Sequence, residues 1–266
     1  MVSEIRADAV TRHYLIFGLD SAMSHFRLGR QSVERYIRLS KTKNVSDFAS
    51  RRVLVIGDLH EPFTREGYRE HCIKIYEKWQ CNEVVFIGDI IDNHFSSFHD
   101  TDPDGHSAAA EFELAKTNLD LWHDAFPVAK VCIGNHDSIP DRKGFRAGLS
   151  KRWIKSIDEV LNFEGWTYAD YFEIDSVQYV HGIGRKARQR GQKDLISIVQ
   201  GHYHSESYTE HYVGKKAHIW VMQIGCGIDD NAYAMAYGKH FNKSHINCGV
   251  VLDNGNVPIL EYMDFN

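Results

Sequence analysis

Val53-Leu54-Val55-Ile56-Gly57-Asp58-Leu59-His60 is the stretch on which the fold of this chain turns. Four consecutive aliphatic residues read as a short strand buried on both faces, and a glycine with Asp and His follows where that strand has to end. The pattern recurs. Val84-Val85-Phe86-Ile87 leads into Gly88-Asp89-Ile90-Ile91-Asp92, and Val128-Ala129-Lys130-Val131-Cys132-Ile133 leads into Gly134-Asn135-His136-Asp137. Val177-Gln178-Tyr179-Val180 is followed by His181-Gly182, and Ile196-Ser197-Ile198-Val199 by Gly201-His202-Tyr203-His204. In open α/β sheets, sites form in the crevice outside the carboxyl ends of the strands. Five such ends here carry Asp, Asn and His side chains, a donor set for hard or borderline divalent metals that needs no cysteine.

Between these runs the apolar period changes from two to that of a helix. Tyr68, Cys72, Ile75, Tyr76 and Trp79 fall on one helical face, as do Phe112, Ala115, Leu119, Trp122 and Phe126. Strand, helix, strand, helix, strand is the opening of an α/β fold with parallel pairing. The C-terminal part is strand-rich, with Ile219–Met222, Cys248–Leu252 and Val257–Leu260, and Asp253-Asn254-Gly255 signals a hairpin turn between the last two.

The order and chemistry of the five motifs resemble the calcineurin-like metallophosphoesterase superfamily, over residues 53–262. The resemblance implies a four-layer α-β-β-α sandwich, two mixed sheets covered outside by helices, in a domain of residues 51–266. It implies hydrolysis of phosphate esters by two metal ions, with an activated water between them attacking phosphorus in line. By the same resemblance Asp58, His60 and His204 bind the first metal, Asp89 bridges, and Asn135, His181 and His202 complete the second site. The mixture of imidazole, carboxylate and amide oxygen suits Mn²⁺, Fe or Zn²⁺ better than Ca²⁺ or a thiolate-bound metal; Mn²⁺ is the expectation, with Fe, Zn²⁺ or Ni²⁺ as alternatives. His136 matches the family histidine that protonates the leaving oxygen or stabilises the transition state, and Asp92 its acidic partner. One position departs from the protein-phosphatase branch: an Arg follows the second acid there, and Asn93 stands here, which disfavours a protein phosphatase.

Two basic runs leave the metal-bearing strand ends. One holds Arg142, Lys143 and Arg146 and continues to Lys155; the other begins at Arg185 and has no acid among its cations up to Lys193. They either line the mouth of the site and attract a polyanion, which makes Arg142, Lys143, Arg146 and Arg185 candidate phosphate contacts, or form solvated faces. Asp100 to Gly105 followed by Glu111 fits a calcium-loop spacing. Pro103 and Ser107 argue against calcium, and the expectation is that Asp104 caps a helix starting near His106.

The chain has 266 residues, 43% hydrophobic and 25% charged, enough for one substantial core with a small appendage. No apolar stretch approaches the ~20 residues of a spanning helix, which excludes a membrane protein of that kind. The early residues do not resemble a secretory signal, and the five cysteines show no C-x-x-C pair. Both point to a reducing cytoplasm, that of a bacterial or phage-infected cell. The net charge of −5 conceals an asymmetry: residues 1–52 carry ten Lys/Arg against five acids, so the remainder carries −10.

Residues 1–45 read as a separate helical segment, and Lys41–Ser50 as a linker. Ala22, Phe26 and Leu28 precede a Gly-containing turn, and Val33, Tyr36 and Ile37 resume the apolar pattern after it, the signature of a helix-turn-helix. The second helix would expose Arg30, Gln31, Arg35 and Arg38, types that contact phosphates and base edges. The segment resembles the DNA-binding unit of small phage and bacterial regulators in pattern; the other reading is an arm that packs on the body or on another subunit in a homo-oligomer. The expectation is a dinuclear phosphoesterase acting on nucleic acid. Its rivals are an esterase of small nucleotides or cyclic nucleotides and a non-catalytic DNA-binding regulator.

Overall fold

The computed structural model describes residues 4–40, 50–98, 101–234 and 243–263. The linker expected at Lys41–Ser50 lies, apart from Ser50, outside the described residues, as does Asp100 of the calcium-like spacing.

Two mixed sheets face each other. The first has the order β11-β10-β1-β2-β3-β4, with β1 (Val53–Ile56), β2 (Glu83–Phe86), β3 (Ala129–Cys132) and β4 (Trp166–Ala169) parallel, and β10 (Asn247–Leu252) and β11 (Val257–Tyr262) antiparallel. The second runs β5-β6-β7-β9-β8. Its β6 (Val177–Val180), β7 (Ser197–Gln200) and β9 (His218–Gln223) are parallel, flanked by antiparallel β5 (Tyr171–Ile174) and β8 (Tyr208–Val213).

Alternation along each strand explains the layers. Leu54, Ile56, Val84 and Phe86 pack outward against α4 (Tyr68–Lys78) and α5 (Ala108–Ala125), through Cys72, Ile75, Leu119 and Trp122. Their neighbours Val53, Val55, Val85 and Ile87 point the other way, onto Tyr179, Val199 and Met222 of the second sheet. On the far side of that sheet, Ile198 and Val221 meet Ala187 of α8 (Ala187–Asp194). The layers are therefore helix, sheet, sheet, helix, and the apolar runs are continuous because both faces of the central strands are buried. All five cysteines are free and buried. No helix among the described residues is long and apolar enough to cross a membrane.

At the N-terminus, α1 (Glu4–Phe17), α2 (Leu19–His25) and α3 (Arg30–Leu39) enclose a small core of their own around Val10, Ala22 and Val33. Arg30, Gln31, Arg35 and Arg38 are all exposed on α3, although Arg30 pairs with Glu34 at 2.9 Å within the helix. The three helices touch the body through α1 against α5 and through ion pairs of Arg6 with Asp124 and Arg27 with Glu164. Asp124 lies at the C-terminal end of α5, whereas the first turn of α5 is tied to the strand-end loops, so the helix's 18 residues, about 27 Å, separate the two.

The first turn of α5 corrects one expectation. Ser107, not Asp104, caps the helix, accepting the amide of Ala110. Asp104 is held in a preceding turn by the Asp102 carboxylate. The Glu111 carboxylate is turned onto the backbone amides of His94 and Phe95, which explains its place in the sequence without a calcium ion.

Glu61, next to the first motif, is buried and accepts hydrogen bonds from Trp122 Nε1 and Asn118 Nδ2, both at 2.8 Å. It locks the loop after β1 onto α5. Glu61→Ala leaves one buried and one half-buried donor without an acceptor, and the expected loss of stability is about 1–3 kcal/mol. Glu61→Gln, which keeps one acceptor, loses less. Urea unfolding midpoints of the two variants check this; equal midpoints for both and for wild type would dispose of the lock.

Candidate metal centre

The loops after β1, β2, β3, β6 and β7 meet at one end of the two sheets. The chain enters the left-handed region at His60 (φ 51°), Asp89 (φ 46°), Asn93 (φ 53°) and His202 (φ 72°). Such turns cost an L-residue free energy and are held at functional sites by surrounding structure. At His60, Asp89 and His202 they swing the side chain off its strand end toward a common centre. Two glycines make the approach possible. A Cβ on Gly134 would lie 2.1 Å from Asp89 Oδ1, and one on Gly201 would lie 2.4 Å from Asp58 Oδ1. The third and fifth loops therefore lie directly on the carboxylates of the second and first.

Three groups of donor atoms result: Asp58, His60 and His204; Asp89, His181 and His202; and His60, Asp92 and His136. Within the first, His204 Nε2 lies 3.0 Å from Asp58 Oδ2. Asp89 Oδ2 lies 3.1 Å from His181 Nε2 and 3.5 Å from His60 Nε2, so its carboxylate faces histidines of both groups. Asn135 Oδ1 sits 3.0 Å from His181 Nε2 and joins the second group as a neutral oxygen.

A divalent ion fits this donor set. Asp58 Oδ1, His60 Nε2 and His181 Nδ1 are buried and have no hydrogen-bond partner. Unpartnered polar atoms at such depth are costly unless something satisfies them. His60 Nδ1 is 2.5 Å from Asp92 Oδ1, and a carboxylate can only accept, so Nδ1 carries the proton and Nε2 presents its lone pair to the centre. A histidine oriented this way from behind is the usual support for a ligand.

Burial opposes charge throughout, and the partners decide the outcome. The Asp89 carboxyl is held well below the usual range, because His181, His136 and His60 outweigh its burial. Burial alone would lower the pKa of His181; Asp89 and Asp58 instead lift it to about 9. His202 goes the other way, down to about 4, through burial and the neighbouring His181. His136 is raised: its burial is outweighed by Asp89 and Asp92.

Asp92 holds His136 differently from the expectation. The His136 Nδ1–H donates to the backbone carbonyl of Asp92 at 2.5 Å, while the Asp92 carboxylate is 3.4 Å from that nitrogen and makes its short contact with His60. One residue thus fixes two rings, one through its main chain and one through its side chain. Asn93 donates to the His136 carbonyl. Asp137 has no role that the sequence alone assigns. It accepts the amides of Ile90, Ile91 and Gly134, binding the second loop to the third, and its closing position in Gly-Asn-His-Asp was the available signal.

The two basic runs differ in structure. Arg142, Lys143 and Arg146 lie on α6 (Ile139–Arg146), exposed, with Arg142 Nη1 3.4 Å from the Asn135 carbonyl. In the second run, Arg185 is exposed, but Lys186 pairs with Glu206 and Arg188 with Glu210. Acids remote in sequence therefore neutralise part of a run that has none of its own.

A sequence profile of the calcineurin-like phosphoesterases (Metallophos) matches residues 51–229. No curated protein matches the chain. Among solved structures, Vps29 from Cryptosporidium parvum is similar at 13% identity and TM-score 0.44, covering 82% of this chain and 92% of that one. The YfcE phosphoesterase of E. coli is similar at 14% identity and TM-score 0.39, over 80% of this chain and all of that one (100%). Vps29 of Chaetomium thermophilum is similar at 12% identity and TM-score 0.39, over 80% and 97%.

Proposed function

The chain belongs to the calcineurin-like phosphoesterase family, and on that premise we propose that it hydrolyses phosphate esters of nucleic acid with two divalent metal ions, Mn²⁺ foremost. Asp58, His60 and His204 hold one ion, Asn135, His181 and His202 the other, and Asp89 is shared. The observation that carries this reading is the trio of buried atoms without a hydrogen-bond partner, Asp58 Oδ1, His60 Nε2 and His181 Nδ1, at the meeting point of five strand ends. When bound, the two ions supply an acidified water as nucleophile and positive charge against the phosphoryl oxygens.

The chain's own residues do the rest. With Nδ1–H committed to the Asp92 carbonyl, His136 has its Nε2 free, and the charges of Asp89 and Asp92 favour a proton there. That proton goes to the departing oxygen, a general-acid role. The Asp92 carboxylate keeps His60 in the tautomer that offers Nε2. Arg142, Lys143, Arg146 and Arg185 attract the polyanion to the mouth. The segment 1–45 is a helix-turn-helix-like unit that grips DNA with Arg30, Gln31, Arg35 and Arg38 of α3. The full donor set speaks against a regulator without activity.

One experiment compares wild type with a deletion of residues 1–45, in Mn²⁺, on a bis-aryl phosphate, cyclic nucleotides and DNA. Both proteins cleave the bis-aryl phosphate, because no metal donor lies in the deleted segment. Cleavage of DNA falls in the truncated protein, and its salt dependence flattens by about one unit for each phosphate that α3 no longer neutralises. Undiminished DNA cleavage at every salt concentration refutes the targeting role. A change of oligomeric state in light scattering, with DNA handling unaltered, identifies an assembly arm instead, and cleavage of cyclic nucleotides alone makes small nucleotides the substrate.

A further inference from the structure

The segment from Arg142 to Lys155 departs from the rest of the body. It holds six Lys/Arg and no acid, in a body that is otherwise acidic. All six cations are exposed, and among the described residues none forms an ion pair, unlike Lys186 and Arg188 of the other run. Large apolar side chains stand among them: Phe145 is 77% exposed, Leu149 53% and Trp153 84%. Beside them, from the loop after β2, the ring of Phe98 is covered by Arg142 at 4.7 Å and Arg146 at 4.3 Å. The surface is firmly built. Gly144 packs α6 directly on Ile154, beside the turn Lys151–Trp153, where a Cβ would come within 2.0 Å of Ile154 Cδ1. Its inner end reaches the metal centre through Arg142 and the Asn135 carbonyl.

We infer that this surface is a platform for single-stranded nucleic acid, with Trp153 and Phe145 stacking on bases and Arg146, Lys151 and Arg152 following the backbone. The inference rests on the nucleic-acid reading above and deepens it. Exposed aromatic rings set among cations are what an unpaired strand requires, because each base offers a π-face and each nucleotide a phosphate. A duplex has its bases already stacked and offers no such face. A membrane-binding helix separates its apolar side from its cationic side. Here Phe145 adjoins Arg146, Arg152 adjoins Trp153, and two guanidinium groups lie on the Phe98 ring itself. A phosphodiester chain with one phosphate at the metal centre has to extend its next nucleotides over the neighbouring surface, and this one begins at Asn135.

Trp153 provides the readout, since among the described residues it is the one exposed tryptophan. Full-length protein in EDTA is titrated with a fluorescein-labelled oligothymidylate and with the corresponding duplex, following anisotropy and tryptophan emission. The single strand is expected to quench Trp153, and the duplex, which α3 grips, is expected to leave Trp153 unquenched. Trp153→Ala weakens single-strand binding by about 10-fold or more, within the range for a stacked aromatic, and Trp153→Phe restores most of it. Arg146→Ala with Arg152→Ala lowers the salt dependence of single-strand binding by about 1.4 units. Binding of Trp153→Ala equal to wild type overturns the platform. So does a Trp153 response to anionic phospholipid vesicles without one to oligonucleotide, or a self-association that Trp153→Ala abolishes. Wild-type hydrolysis of the bis-aryl phosphate separates the two proposals. Ester cleavage without a Trp153 response removes the platform alone, and a Trp153-dependent strand complex without ester cleavage removes the phosphoesterase reading alone.

Discussion

Asp89→Ala is expected to abolish the proposed phosphoesterase activity and to leave the protein with fewer metal ions than any other single substitution, where saturated wild type is expected to hold close to two. The expectation follows from the position of one carboxylate. Asp89 is 1% exposed and stands within 3.5 Å of histidines belonging to both donor groups. Its other oxygen accepts the backbone amide of His136 at 2.7 Å, so it also holds the third loop in place. Removing it takes away the negative charge that the centre shares, and leaves His60 and His181 facing each other across a gap. Asp58→Ala, by contrast, removes a donor of one group only, although its Oδ2 also accepts the His202 amide at 2.9 Å and its Oδ1 lies 3.7 Å from His181 Nδ1, so the other group is loosened without losing a donor. Since a cavity at this depth also destabilises the fold, Asp89→Asn serves as the companion variant: it keeps the shape and loses the charge. Metal content after saturation with Mn²⁺ and gel filtration is the measurement. Wild type without bound metal, or Asp89→Ala with its full complement, sinks the dinuclear proposal.

The residues gathered at the centre were legible because they lie at the ends of strands buried on both faces. Val53–Ile56 and Val84–Ile87 carry an apolar residue at every position, so their ends, and the motifs attached, stand out. Apart from β11, the strands at the sheet edges left no such trace. β4, β5 and β8 each have a single neighbour, and Tyr208–Val213 presents Thr209, Glu210 and His211 to a half-solvated surface. The helices α6 and α8 were hidden for a different reason. Their buried faces are made by Ile139 and Gly144, and by Ala187 and Gly191, so close packing by small residues replaced the apolar stripe that marks a helix in sequence. Polar roles were the hardest to assign. An aspartate bonded to three amides, such as Asp137, has the same letter as one that faces the centre. The capping role of Ser107 over Asp104 depended on where a turn closed, which the sequence leaves open by a few residues. Charge was legible only as a run, because the partners of Lys186 and Arg188 come from Glu206 and Glu210, about twenty residues further along.

His136→Ala separates binding from chemistry. Its ring is not one of the donors proposed for either ion, and its Nδ1–H is used on the Asp92 carbonyl, so the variant is expected to retain the wild-type metal content. What it is expected to lose is the proton donor proposed beside the centre. The expected fall in kcat is about 10²–10⁴-fold for a substrate with a poor leaving group, the usual worth of a positioned general acid. A nitrophenolate leaving group departs without needing a proton, so the same variant loses far less on a nitrophenyl ester. The comparison of the two substrates is the measurement that counts, because it removes any common effect of a disturbed loop. Such a disturbance is a real concern: His136 N–H holds Asp89, and the ring packs on His60 at 4.5 Å between centroids. His136→Gln, which fills part of the space and cannot act as an acid at neutral pH, controls for packing. An equal loss on good and poor leaving groups, with metal content intact, assigns His136 to charge stabilisation at phosphorus and overturns the acid role. A loss confined to poor leaving groups is the result that the free Nε2 and the two nearby carboxylates lead one to expect.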